Sequence, residues 1–422
     1  VPRFPTLLTT LACALALAPA AVATAAPLDA TVSRELARAG GVSGGYVLDT
    51  TTGRVLASVR ADTPRIPASV QKLYTTATAL LRFGADGTLD TRVLGTGTLT
   101  DDGTWRGDLY LRGSGDPTFG SITFTRRAYG TGATTADLAA GLHELGIRRV
   151  TGRVYGDESA FDRLRGGPST GGRLDVWIGG PLSALAYNRG LANEAGSALQ
   201  SRPATFAAQQ LVTALKYRRV RVNAKVGERT TPRSAEELAV VSSPPMAKLA
   251  QLTNVPSDNY LAETLLKAIG AAHGAGGSTA AGAGVAKDTL ARFEISPRIV
   301  DGSGLSRANA TSPRQVVGLL QGMRDEPGFR ESLAVAGRSG TLANRMRRSS
   351  AQGRCQGKTG SLSNVSALAG YCRSANGHVI AFAFMSNSVV PAYARGAQDR
   401  LAAILARQRP AGSTSATRRA KR

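Results

Sequence analysis

Apolar and polar positions alternate over residues 44–49 and 54–59, with Thr50-Thr-Thr-Gly53 between them, which predicts a strand, a turn and a second strand. A largely apolar run over 73–83 predicts a helix that continues from Lys72. Between about residues 88 and 245 the texture changes to short strand-like segments, at 91–100, 107–112, 149–155, 220–227 and 239–241, with one helix at 135–145. From Met246 the pattern turns helical, over 246–252, 260–269 and 313–326, while the Ala/Gly-rich stretch 271–284 reads as a loop with helical ends. Near the C-terminus, apolar runs at 368–372 and 378–385 flank Ser374-Ala-Asn-Gly377, a strong hairpin signal, and a closing helix follows at 397–407. The expected organisation is one α/β unit built from 26–87 and 246–408. It is interrupted by an inserted, mostly β region, 88–245, forming one or two extra domains with one nested in the other.

The first 25 residues read as a secretory signal, with Arg3 before an apolar stretch and small residues near Ala21, Ala23 and Ala25. The alternative is an N-terminal membrane anchor, which the short run and Pro19 disfavour. Cys13 sits in a poor context for lipid attachment. Export leaves Cys355 and Cys372, 17 positions apart, as either one disulfide or two buried thiols. The 422 residues, 49 of them glycine, allow two or three domains. The net charge of +23 raises nucleic acid as a partner, but the basic residues are dispersed and no nucleic-acid-binding signature is present. Some of the excess lies in 409–422, a basic Ser/Thr/Ala-rich tail expected to be disordered. Outside the cytoplasm such a surface suits anionic wall polymers or a membrane surface.

Three triplets carry the chemistry. Ser69-Val-Gln-Lys72 places a hydroxyl and an amine one helical turn apart, and a desolvated amine can take the hydroxyl proton. Ser257-Asp-Asn259 opens a helical stretch with a hydroxyl and an amide. Lys358-Thr-Gly360 precedes the apolar strand pair, with Gly360 allowing a ligand close to the backbone. Each is weak alone, but S-x-x-K, S-D-N and K-T-G in that order share one known mechanism.

With these motifs the chain resembles the penicillin-recognising serine enzymes. More narrowly, it resembles the D-alanyl-D-alanine carboxypeptidase/endopeptidase family, peptidase family S13, among the low-molecular-mass class C penicillin-binding proteins. Gly113-Ser-Gly-Asp-Pro117, Asp301-Gly-Ser-Gly-Leu305 and Gly340-Thr-Leu342 also fit that family, as does the 185-position gap between Lys72 and Ser257. The resemblance implies a β-lactamase/transpeptidase-like catalytic domain, an antiparallel sheet flanked by helices. It implies a secreted serine D-Ala-D-Ala carboxypeptidase, with D,D-endopeptidase activity as an extension, located in the periplasm, at the wall or outside the cell. Its partners would be peptidoglycan stem peptides and β-lactams.

By the same resemblance Ser69 is the acylated nucleophile and Lys72 its base. Ser257 relays a proton to the leaving amine, and Asn259 binds the substrate amide and orients Lys72. Lys358 keeps the field positive. Thr359, Gly360 and Ser361 bind substrate, and the N–H groups of Ser69 and Ser361 form the oxyanion hole. The rivals are a β-lactamase or related esterase using the same site, and a non-catalytic wall-binding protein. Simpler roles suit other residues: Asp258 as a helix cap, Asp116 as a turn former and Asp301 as the anchor of its Gly-rich loop. His143, His273 and His378 are scattered, so no metal site and no cofactor is signalled.

Overall fold

The computed structural model describes residues 28–193, 195–223 and 225–408. The expected signal segment 1–25 and basic tail 409–422 lie outside the described residues. Thirteen strands occur among the described residues. They are β1 (Val42–Asp49), β2 (Arg54–Val59), β3 (Asp90–Leu99), β4 (Thr104–Gly113), β5 (Arg149–Val150), β6 (Val154–Asp157), β7 (Arg221–Val222), β8 (Val226–Glu228), β9 (Glu236–Ser242), β10 (Ala334–Val335), β11 (Cys355–Leu362), β12 (Val365–Arg373) and β13 (Val379–Asn387). The helices are α1 (Leu28–Ala39), α2 (Lys72–Phe83), α3 (Ile122–Tyr129), α4 (Thr135–Glu144), α5 (Pro203–Tyr217), α6 (Met246–Asn254), α7 (Asn259–His273), α8 (Thr279–Leu290), α9 (Pro313–Gly322), α10 (Pro327–Glu331) and α11 (Pro391–Arg407).

One sheet runs β10-β11-β12-β13-β1-β2, antiparallel throughout. Both of its faces are covered, and the sequence of β13 shows why. Ile380, Phe382 and Phe384 point into a core shared with Leu36 of α1 and Leu401 of α11. Ala381, Ala383 and Met385 point the other way, toward Leu73 and Tyr74 of α2 and Val316 of α9. A strand buried on both sides loses the apolar/polar alternation and becomes a continuous apolar run. The joining of β1 to β13, from Val42↔Asn387 to Asp49↔Ile380, welds the two ends of the chain. Cys355 and Cys372 lie directly opposite each other on β11 and β12 and form a disulfide.

The second sheet draws all its strands from residues 90–242, in the order β7-β5-β4-β3-β9, with β6 pairing β4 and β8. It mixes antiparallel and parallel pairs. Its core joins Val93, Leu109 and Leu111 to Leu138 of α4 and Leu211 of α5. The sequence pattern gives no helix at α5, although Ala204, Ala207, Ala208, Leu211, Val212 and Leu215 form its buried stripe. Three alanines in that stripe leave little hydropathic contrast with the other face.

Boundaries moved elsewhere too. α8 extends to Leu290, leaving only 274–278 as loop; the 313–326 helix stops at Gly322; and α11 starts at Pro391, six residues early. Proline at the first helical position explains that early start, because its fixed φ suits the first turn and its missing N–H costs nothing there. Among the described residues no helix is long and apolar enough to cross a membrane.

Candidate active site

Ser69 sits in a tight 3-10 turn, Ala68–Gln71, and the α-helix proper begins at Lys72. The residue before the serine, Ala68, has φ +47°, a left-handed conformation costly for a residue with a Cβ. Two glycines hold this turn. A Cβ at Gly304 would lie 1.9 Å from Ala68 O, and one at Gly360 would lie 2.4 Å from Pro67 O. Gly360 thus admits the protein's own backbone, where the sequence suggested a ligand.

Lys72 is completely buried. Its Nζ lies 2.9 Å from Ser69 Oγ, 2.7 Å from Asn259 Oδ1 and 2.7 Å from the Ser303 carbonyl. The last two are pure acceptors, so they take both N–H bonds of a neutral amine. The lone pair is then left facing the Ser69 hydroxyl. Burial pulls the Lys72 pKa down to about 8, against the opposite pull of Asp301, Glu263 and Asp258.

The Gly-rich loop beneath Lys72 is held by Asp301, which accepts from Gly304 N and Asn309 Nδ2 through one oxygen and from Ser306 N through the other. Asp301 therefore has the anchoring role expected of it. Thr75 Oγ1 donates to Gly302 O at 2.8 Å, and Glu263 accepts from Ser303 N at 2.8 Å. Burial raises both carboxyl groups, Glu263 to about 7 with Asp301 adding to the effect.

Ser257 has φ +67°, which turns the chain sharply into α7. Asp258 caps that helix by accepting from Leu261 N at 3.0 Å. It also forms an ion pair with Arg189, whose Nη2 donates to Oδ1 at 3.0 Å and whose guanidinium lies over the Tyr260 ring. Asn259 directs Oδ1 at Lys72 and Nδ2 at the Trp177 carbonyl, 2.8 Å away. Lys358, also fully buried, donates to Ser257 Oγ at 2.7 Å and Thr359 O at 2.9 Å. Burial and then repulsion by Lys72 hold its pKa well below the usual lysine range.

These groups converge on an open cleft of about 720 Å³ lined by Ser69, Ser257, Thr341, Thr359 and Ser361. Thr359 and Thr341 share a hydroxyl–hydroxyl hydrogen bond at 2.9 Å. The structure thus brings Ser69, Lys72, Ser257, Asn259, Lys358, Thr359, Gly360 and Ser361 into one place. Asp116 forms the expected turn, accepting from Thr118 N at 2.8 Å. His378 pairs with Asp49, and His273 packs edge-on against Phe83, both outside the cleft.

Sequence reasoning missed Glu263, Arg189 and the cleft residues Arg345, Arg395 and Asp399. Glu263 was the most accessible of these. It lies one turn after Asn259 on the same helix face, and it is a carboxylate within an otherwise apolar run.

A polar centre of this design, carried at the edge of an antiparallel sheet with helices on both faces, defines a serine enzyme of the penicillin-recognising class. The chain belongs to the D-Ala-D-Ala carboxypeptidase 3 (S13) family, matching it over residues 25–191 and 188–408. It is similar to the D-alanyl-D-alanine carboxypeptidase of Actinomadura sp. (strain R39), at 30% identity over 87% of this chain and 81% of that protein. It is also similar to the carboxypeptidase DacB of Mycolicibacterium smegmatis, at 33% identity over 86% of this chain and 80% of that one. In fold it is similar to penicillin binding protein 4 of Haemophilus influenzae, with a TM-score of 0.76 and 20% identity over 89% of this chain and 99% of that one.

Proposed function

We propose that the protein is a serine D-Ala-D-Ala carboxypeptidase that trims peptidoglycan stem peptides on the outer side of the cytoplasmic membrane. The observation that carries the reading is the Lys72 amine, buried, satisfied by two carbonyl acceptors and facing Ser69 Oγ at 2.9 Å. Ser69 Oγ attacks the penultimate D-Ala carbonyl and its proton passes to Lys72 Nζ. The N–H groups of Ser69 and Ser361 receive the developing oxyanion. Collapse breaks the C–N bond, and the proton held by Lys72 reaches the leaving amine of D-alanine by way of Ser257, which Lys358 contacts, so that Lys72 is neutral again. Water then attacks the acyl-enzyme, gives its proton to Lys72, and frees Ser69.

A β-lactam enters the same path but leaves no departing amine to diffuse away, so the acyl-enzyme persists. The solved relative from H. influenzae has been crystallised with a β-lactam. Intact-mass spectrometry with benzylpenicillin tests the assignment. Wild-type protein should gain the mass of one penicillin and Ser69→Ala none. An unchanged gain in Ser69→Ala, or none in active wild type, would sink it. Rapid loss of the adduct would favour the β-lactamase reading, and failure to release D-alanine from a diacyl-D-Ala-D-Ala peptide would favour a non-catalytic wall protein.

The division into a catalytic domain of 26–87 and 246–408 with an insert of 88–245 belongs to the same proposal. It is supported by two sheets with separate strand sets and by a core drawn from residues 93–241. D,D-endopeptidase activity on crosslinked stems is the finer extension. Parallel assays of crosslinked and uncrosslinked muropeptides decide it.

A further inference from the structure

Past Ser361 the cleft continues onto the first turns of α11, where Ala392, Arg395, Gly396 and Asp399 line it opposite Arg345. Three of these side chains are charged, and two of them answer each other. Arg345 donates through Nε and Nη2 to Asp399 Oδ1, at 3.0 and 2.7 Å, and through Nη2 to Gln398 Oε1 at 3.1 Å. Arg395 is placed differently. Its Nη2 donates to Ser361 Oγ at 3.2 Å, and among the described residues it forms no ion pair. Ala392 and Gly396 add no bulky side chain to this part of the cleft.

The reaction needs a cation here. A carboxypeptidase recognises the free carboxylate of the residue it releases, and hydroxyls alone are weak partners for that charge. Lys358 is poorly suited to supply it, because its Nζ is fully buried and engaged by Ser257 Oγ and Thr359 O. Burial and Lys72 also work against its positive charge. A guanidinium stays charged at any working pH and presents a planar fork that matches a carboxylate. The one at Arg395 already touches a hydroxyl of the cleft.

We propose that Arg395 binds the terminal carboxylate of the leaving D-amino acid, together with the Thr359 and Ser361 hydroxyls. Lys358 then serves the proton path through Ser257, and charge recognition falls to α11. This rests on the carboxypeptidase reading, and the experiment separates the two.

Two substrates are compared, a diacyl-D-Ala-D-Ala peptide and a diacyl-D-alanyl thioester whose leaving group has no carboxylate. Arg395→Ala should lower kcat/KM for the peptide by about 10- to 100-fold, chiefly through KM, while turnover of the thioester stays within about twofold of wild type. Arg395→Lys should recover part of the peptide activity and Arg395→Glu should lose more of it. Equal losses on both substrates, or no loss on the peptide, overturn the role of Arg395. A wild-type protein that turns over neither substrate overturns the carboxypeptidase reading and the inference with it.

Discussion

At the residue scale the site is governed by desolvation. Lys72 has no access to water, and an ammonium in that position loses hydration that its neighbours only partly replace. Its pKa near 8 makes the neutral, proton-accepting form dominant only above that pH. Acylation by benzylpenicillin should therefore rise with pH through about 8 and then level off, as read from pseudo-first-order rates. Glu263 stabilises the ammonium form, so replacing its charge should move that rise to lower pH. Glu263→Gln keeps an acceptor for Ser303 N and is the variant to measure; a rise displaced to higher pH would contradict the electrostatic account. Ser69 and Lys72 were legible because their chemistry is compressed into four residues. Their tuning was not: Glu263 went unread, Asp301 was legible only as a loop anchor, and the two lie 191 and 229 positions beyond Lys72 and meet it only in the folded chain.

At the element scale the site depends on how closely three pieces of backbone approach. The Ser69 turn is packed between β11 and the loop after Asp301, with glycine at each contact. Gly360→Ala would drive a methyl group into Pro67 O and push β11 off the turn. We expect a stability loss of about 1–3 kcal/mol by thermal denaturation and slower acylation, whereas Gly284→Ala, on the open face of α8, should cause neither. The Lys358 strand and the following hairpin were readable from an uninterrupted apolar pattern and a strong turn. Arg189 was not, because it comes from an irregular stretch and meets Asp258 and Tyr260 only in the folded chain. Arg189→Ala leaves a largely buried carboxylate beside Ser257 and Asn259 without its cation, which should cost on the order of 3 kcal/mol and slow acylation. Melting curves and penicillin-binding rates on one preparation would show both effects; normal values for both would remove Arg189 as a brace.

At the scale of the whole molecule, chain order and spatial order differ. The motif-bearing helix is close to the N-terminus, while the central strands beside it come from the last 70 residues. The fold class was legible because helical and strand textures change near residues 88 and 245. The mixed pairing of the second sheet was not, since two- and three-residue strands such as β5, β7 and β8 carry no periodicity of their own. The Cys355–Cys372 disulfide closes a short loop across neighbouring strands of the catalytic sheet. Replacing both cysteines by serine should lower stability by roughly 3 kcal/mol in denaturant titrations, and an unchanged midpoint would count against that contribution.

The pairing of β1 with β13 also sets a timetable for the nascent chain. β1 and β2 emerge early, yet β1 has its second neighbour only when residues 379–387 arrive. Loop closure over more than 300 residues is slow compared with formation of the second sheet, whose strands all lie within 90–242. Ser69 is therefore synthesised long before Lys358 and α11 can close the cleft around it. The cleft is complete only when β11 and α11 have docked against the Ser69 turn.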